Sequence, residues 1–322
     1  MNLTLDLLPL WLLRVFAGAF GLLWGSFLNV VIYRLPRGMS VVHPPSHCPA
    51  CGAPIEARNN VPVVSWLLLR GRASCCGAKV SARYPAVELI GGVLSLAVLE
   101  LVVFSLPHAS TTLGHAAAVH AAGFALALAL VATAFIDLEH LLILPDMANA
   151  SLALLGVATA SFRGLDYRAS FVGALVGFGV VQGIDRAYRA LRGRSGMASG
   201  DAVLLGVLGA WFGWQGALFA IMAAAVQGTL ALVVVRALGL SFGEPESVKA
   251  ERAAILAEIE ALPEAEREAA MAAWREEDEL ADAPGEGGQA VLAFGPFLAL
   301  AGLELLLFYG PLSDAVFLWQ LG

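Results

Sequence analysis

Charge is what this sequence has least of. Lys, Arg, Asp and Glu make up 14% of its 322 residues, against 59% hydrophobic, and the mean hydropathy is +0.77. An ordinary soluble domain is about one quarter charged. A chain this poor in charge cannot cover its surface in water, which excludes an ordinary soluble globular protein. It also has no long basic tract, so nothing points to nucleic acid as a partner. No Lys or Arg precedes the first apolar run, residues 7–32, which is long and ends at Arg34 and Arg37. A signal peptide has the opposite pattern, a basic start and a shorter apolar core, so a retained helix is expected. No internal repeat is evident.

What the sequence has in abundance is apolar length. A run of roughly 20 apolar residues spans a hydrocarbon core as a helix, and lipid offers no partner for an unpaired backbone amide. The fold class expected is therefore an all-α polytopic membrane protein in contact with membrane lipid. Eight spans are predicted, at residues 7–32, 85–106, 115–136, 147–162, 169–187, 201–212, 215–237 and 291–309. The corresponding segments are a first transmembrane helix (1–32), a cysteine-containing module (33–84), a membrane core (85–242), an acidic insertion (243–290), and a last helix with its tail (291–322). Arg and Lys fix the orientation. With the N-terminus outside, 16 of the 19 basic residues fall on the cytoplasmic side, all but Arg14, Arg163 and Arg168.

The net charge of −7 hides two parts. Residues 244–286 hold 14 of the 26 acidic residues and 4 of the 19 basic ones, a net of −10, which leaves the remainder at +3. The acidic part is rich in Glu and Ala and is broken near Pro263. Val248, Ile255, Leu256, Ile259 and Leu262 recur at helical spacing, so a helical hairpin is expected. A solvated spacer and a docking element both remain open as its role.

All four cysteines lie in the first cytoplasmic loop. Cys48-Pro-Ala-Cys51-Gly52 has the spacing of a zinc knuckle, with two thiolates aimed at one metal and Gly in the tight turn behind them. The other half is Cys75-Cys76-Gly77, without the two-residue spacing. A tetrahedral structural zinc on Cys48, Cys51, Cys75 and Cys76 is expected. Unliganded thiols in a loop held by other packing are the alternative, and His43 and His47 stand nearby as spare ligands.

Acids are few in the predicted membrane helices, so those present carry information, because an ionisable group at membrane depth is costly and usually functional. One cluster is Phe135-Ile136-Asp137-Leu138-Glu139-His140, followed by Leu144-Pro145-Asp146. The other is Ala198-Ser199-Gly200-Asp201, opening an apolar helix. Two readings stand open. Asp201 caps its helix while Asp137 is a charge at a helix end, or the two carboxylates meet across helices and share a proton, the chemistry of aspartic peptidases. Asp185 among Arg186, Arg189 and Arg192 reads as an interfacial ion pair. Glu88 is placed to brace the loop.

Taken together, these segments resemble the type IV prepilin peptidases. The matching stretches are GSFLNVVIYRLP (25–36), CPACGAPI (48–55), NNVPVVSWLLLRGR (59–72), ARYPAVEL (82–89), AFIDLEHLLILPD (134–146), SGDAVLLGVLGAWFGW (199–214) and FGPFLALAG (294–302). The resemblance implies a polytopic inner-membrane aspartyl peptidase with Asp137 and Asp201 as its catalytic pair, and with Gly200, Pro145 and Asp146 as supporting motif residues. It implies prepilins and pseudopilins as substrates, cut after a Gly at the cytoplasmic face. It further implies N-methylation of the new terminus with S-adenosylmethionine, associated with the cysteine module.

This sequence departs from the family pattern in three places. The first position of the second cysteine pair is Ala73, with Cys75 standing inside the pair. The Gly-x-Gly-Asp signature has Ala198 in its first place, and Val203 replaces a Lys two residues after the acid. Residues 243–288 are inserted. A catalytically altered scaffold of a pilus or secretion system, and an ion-coupled transporter, are the rival functions.

Overall fold

The computed structural model describes residues 4–193, 198–240, 243, 245–280 and 293–315. Ten α-helices make up the described architecture: α1 (Leu10–Arg34), α2 (Val64–Leu68), α3 (Arg83–Ala97), α4 (Leu113–His140), α5 (Asp146–Ala158), α6 (Tyr167–Arg192), α7 (Ser199–Ala237), α8 (Glu246–Glu260), α9 (Glu264–Leu280) and α10 (Gly295–Ala315). No strand occurs among the described residues, which bears out the all-α expectation.

Five helical segments are long and apolar enough to cross a membrane: Leu10–Arg37, Arg83–Val103, Leu113–His140, Tyr167–Arg192 and Ser199–Ala237. Asp146–Ala158 and Gly295–Phe308 are shorter apolar helices. The count of eight is therefore not reproduced. The spans expected at 201–212 and 215–237 are the two helical halves of α7, which meet where Gly213 leaves helical geometry at φ 72° and ψ −179°. A side chain resists that conformation and glycine does not.

The chain forms two compact units, with the division falling inside α4 between Ala132 and Thr133 and inside α10 between Leu305 and Leu306. In the first unit, α1 and α3 pack almost backbone to backbone. A Cβ on Gly21 would lie 2.5 Å from the Gly91 carbonyl oxygen, and one on Gly25 would lie 2.8 Å from the Glu88 Cα. Small residues permit this approach in lipid, where the hydrophobic effect does not drive helices together. Polar side chains are paired across the helices. Ser95 donates to the Ala17 carbonyl at 2.7 Å. Arg14 bonds Glu100 through Nε at 2.5 Å and Nη2 at 3.1 Å, which meets the requirement for a partner inside an apolar helix.

In the second unit the tightest contact is between α6 and the first half of α7. A Cβ on Gly173 would lie 2.2 Å from the Gly209 carbonyl oxygen, and one on Gly209 would lie 2.0 Å from that of Gly173. Ser170 donates to the Ala210 carbonyl beside them. Gly173→Ala is expected to push the helices apart and destabilise this unit by at least the ~1–3 kcal/mol typical of overpacking. A thermal melt of the detergent-solubilised variant checks it. On α5's other side, Trp211 of α7 donates from Nε1 to the Leu152 carbonyl at 2.9 Å. Asp185 and Arg189 form the ion pair expected on α6, at 2.7 Å. Gln227 of α7 donates to both oxygens of Glu304 in α10, at 3.0 Å each. The acidic insertion folds as the expected helical pair, α8 and α9 around Pro263, with Ile259 of the apolar stripe buried.

Candidate active site

Three helix ends build the centre, all in the second unit. Asp137 stands in the last turn of α4, and its carbonyl accepts from the Leu141 N–H at 2.9 Å. A carboxylate in a C-terminal turn opposes the helix dipole. Gly295, the first residue of α10, supplies the compensation by donating its backbone N–H to that carboxylate. The approach is close enough that a Cβ on Gly295 would lie 2.5 Å from Asp137 Oδ2.

Asp201 stands in the first turn of α7, where an acid suits the dipole. It is the third helical residue and not the cap. The cap position is Ala198, whose N–H donates back to the Asp201 carboxylate. This is one half of a capping box. Ala198 has φ −68° and ψ 143°, an extended conformation any residue adopts, so Ala in place of the usual Gly brings no backbone strain.

The two carboxyls lie within electrostatic reach of one another, and both residues are almost buried, Asp137 at 7% exposure and Asp201 at 5%. Gly200 has its own local reason. A Cβ there would lie 2.8 Å from Ile143 Cδ1, in the link after α4. Pro145 caps α5 and its carbonyl accepts from the Ala148 and Asn149 N–H groups. Asp146 is exposed in the first turn of α5 and has no side-chain contact with the pair among the described residues.

The cysteine module belongs to the first unit. It is anchored on α3 through Glu88, which accepts the Val63 N–H at 2.6 Å, and the start of α3 is in turn tied to α1 by Asn29, which donates to the Tyr84 carbonyl at 3.1 Å. Glu88 is thus the brace its position suggested. Trp66 donates to the Val80 carbonyl at 3.1 Å across the module.

Two turns of the same design carry the thiols. In the first, the Cys48 N–H bonds the Ala53 carbonyl and the Gly52 N–H bonds the Cys48 carbonyl; in the second, Ala73 and Ala78, and Gly77 and Ala73, do the same, all four at 2.8 Å. Gly52 and Gly77 share φ near +70°, and an isolated bridge closes each turn, His47 with Pro54 and Arg72 with Lys79. Ala73 therefore occupies the place of Cys48, and Cys76 that of Cys51. Cys75 replaces the missing ligand from inside its turn. The four Sγ atoms lie within 4.8 Å of one another, with Cys51–Cys75 at 3.3 Å and Cys48–Cys76 at 3.7 Å.

Tetrahedral zinc with ~2.3 Å bonds puts its sulfurs about 3.8 Å apart, so these four thiols fit the metal. Backbone N–H groups of Ala50 and then Cys51 pull the Cys48 thiol down to about 6, whereas the bond with Cys51 pushes Cys75 up to about 12. A metal bound here would have to displace the proton Cys75 retains, so its uptake would strengthen as pH rises. If the four thiols hold zinc, Cys75→Ser is expected to lose it, and Ala73→Cys with Cys75→Ser to regain it. Metal analysis after exhaustive dialysis distinguishes the two.

Comparison with known proteins bears on both units. Residues 19–102 match the bacterial peptidase A24 N-terminal domain, and residues 124–233 match the type IV leader peptidase family. A prepilin leader peptidase/N-methyltransferase of Myxococcus xanthus (strain DK1622) is 34% identical over 319 residues, 93% of this chain and 91% of the relative. This chain belongs to the type IV leader peptidase family. Family members of the same name from Dichelobacter nodosus and Aeromonas hydrophila are 36% and 38% identical, over 71% and 67% of this chain and 85% and 79% of theirs. No solved structure matches. The leader peptidase match at 124–233 contains Asp137 and Asp201. It ends before Gly295, which sequence reasoning quoted within FGPFLALAG without a role. Ile143 also carried no signal, since an apolar residue before Pro145 looks like ordinary helix flank.

Proposed function

We propose that this chain cleaves the leader segments of type IV prepilins and pseudopilins at the cytoplasmic face of the bacterial inner membrane, with Asp137 and Asp201 as an acid–base pair. Family membership supports the reaction. The observation that carries the residue assignment is that two nearly buried carboxyls, at the end of α4 and the start of α7, lie within electrostatic reach of one another. One carboxylate takes a proton from the attacking water while the other, protonated, gives its proton to the scissile carbonyl oxygen. The tetrahedral adduct then collapses: the carboxyl that took the water proton gives it to the amine nitrogen, the C–N bond breaks, and the other carboxylate takes a proton back from the diol as the new carboxyl group forms. General acid–base catalysis of this kind contributes roughly 10²–10⁴-fold.

Charge asymmetry supports an N-terminus outside and a pair facing the cytoplasm. Zinc on Cys48, Cys51, Cys75 and Cys76 would tie the two turns together as a structural site. N-methylation of the new terminus with S-adenosylmethionine is carried by the family alone. Among the described residues no glycine-rich nucleotide cradle marks a place for that donor, and no residue is assigned to it.

The reading is tested by incubating the reconstituted protein with prepilins and following the product by mass spectrometry. Loss of the leader is expected, with the mass of one added methyl group on the new terminus. Intact leaders on several prepilins would overturn the peptidase and favour a scaffold.

A further inference from the structure

Asn149 is polar, is 1% exposed, and is one of only two buried residues of α5, the other being Gly156. Its Nδ2 donates to the Leu144 carbonyl at 2.6 Å, while its Oδ1 is buried without a partner. An apolar residue would fill the site without leaving a buried acceptor unsatisfied, which is costly. What the amide achieves is local. Leu144 belongs to the five-residue link 141–145 that joins the helix of Asp137 to α5. The link starts on Leu141 at φ +53°, an unusual conformation for a non-glycine residue, with its N–H on the Asp137 carbonyl. Its next contact is Ile143, seated where Gly200 has no Cβ, one residue before Asp201.

We propose that Asn149 is a positioning residue for the aspartate pair. By fixing the Leu144 carbonyl it locks the link, and the locked link seats Ile143 against Gly200, so that Asp201 is gauged against Asp137. This inference rests on the peptidase reading of that pair. The link works as a spacer with one end on each side of the reaction, and Asn149 keeps it at one length.

The test is prepilin cleavage by the full-length protein in proteoliposomes, for Asn149→Ala, Ile143→Ala and the double variant. Because a misplacement of about 1 Å can cost on the order of 10²-fold in rate, each single variant is expected to lose about 10–100-fold in kcat. KM is expected within about twofold of wild type in each, and the pH–rate profile to move. The double variant should lose no more than the worse single one, because both act through one link.

Wild-type kcat in either single variant, losses that multiply in the double, or a loss matched by the unfolded fraction overturns the proposal. If Asn149→Ala fails to accumulate, Ile143→Ala decides alone: an unchanged kcat overturns the proposal, and a reduced one at constant KM supports it. Asp137→Asn and Asp201→Asn, run beside these, separate the two ideas. Cleavage by those variants sinks the peptidase assignment itself, whereas their inactivity beside an unimpaired Asn149→Ala sinks the positioning role only.

Discussion

Asp137→Asn and Asp201→Asn are each expected to lower kcat for prepilin cleavage by roughly 10²–10⁴-fold, the range for loss of a positioned acid or base. The substitution is nearly isosteric, so packing persists. At position 201 an amide oxygen still accepts the Ala198 N–H, and at position 137 it still accepts the Gly295 N–H. What is lost is the ability to take or give a proton. Groups that act as a unit fail as a unit, so the double variant should be little worse than either single one. Single-turnover cleavage at saturating enzyme measures this directly. Losses that multiply would mean that the two acids serve separate steps.

Gly295→Ala is the second large effect, and it separates catalysis from stability. The added Cβ would lie 2.5 Å from Asp137 Oδ2 and 3.1 Å from its Cγ. A carboxylate at the end of a side chain can swing away, so the fold pays little. The swing moves a reacting group by on the order of 1 Å, which can cost about 10²-fold in rate. The variant should melt within a few degrees of wild type and cleave about 10²-fold more slowly. Gly173→Ala makes the contrast: there the obstruction is a backbone carbonyl, which cannot swing, and the loss is expected in folding. A Gly295→Ala enzyme with full activity would show that the α10 terminus does not position Asp137.

The positions of Asp137 and Asp201 were legible because acids are scarce in the apolar helices and because basic residues mark one side of the chain. That their carboxyls come within electrostatic reach of one another was not legible from spacing, which left capping as an equal reading. The capping reading was itself partly sound, since Asp201 does bond a cap amide, but as the third helical residue. Gly295 was hidden for two reasons. The last span was expected to start near residue 291, which buries Gly295 inside it, and nothing local signals that a helix terminus meets an acid far along the chain. The convergence of Cys75 and Cys76 was obscured because adjacent side chains usually diverge. The repeat that brings them in lies in backbone hydrogen bonds at Ala73, Gly77 and Ala78, not in the thiol spacing. The break between the sixth and seventh expected spans was placed correctly, and it is Gly213, the one non-helical residue inside α7, that separates the two helices.

The glycine contact between α6 and α7 has a consequence for traffic. A substrate arriving from the lipid would have to pass between helices to reach Asp201. Two helices touching through their backbones at Gly173 and Gly209 have no side chains between them to fold aside, so α6 and α7 form a closed seam at that level. A passage for such a substrate is therefore expected between other helices than these two.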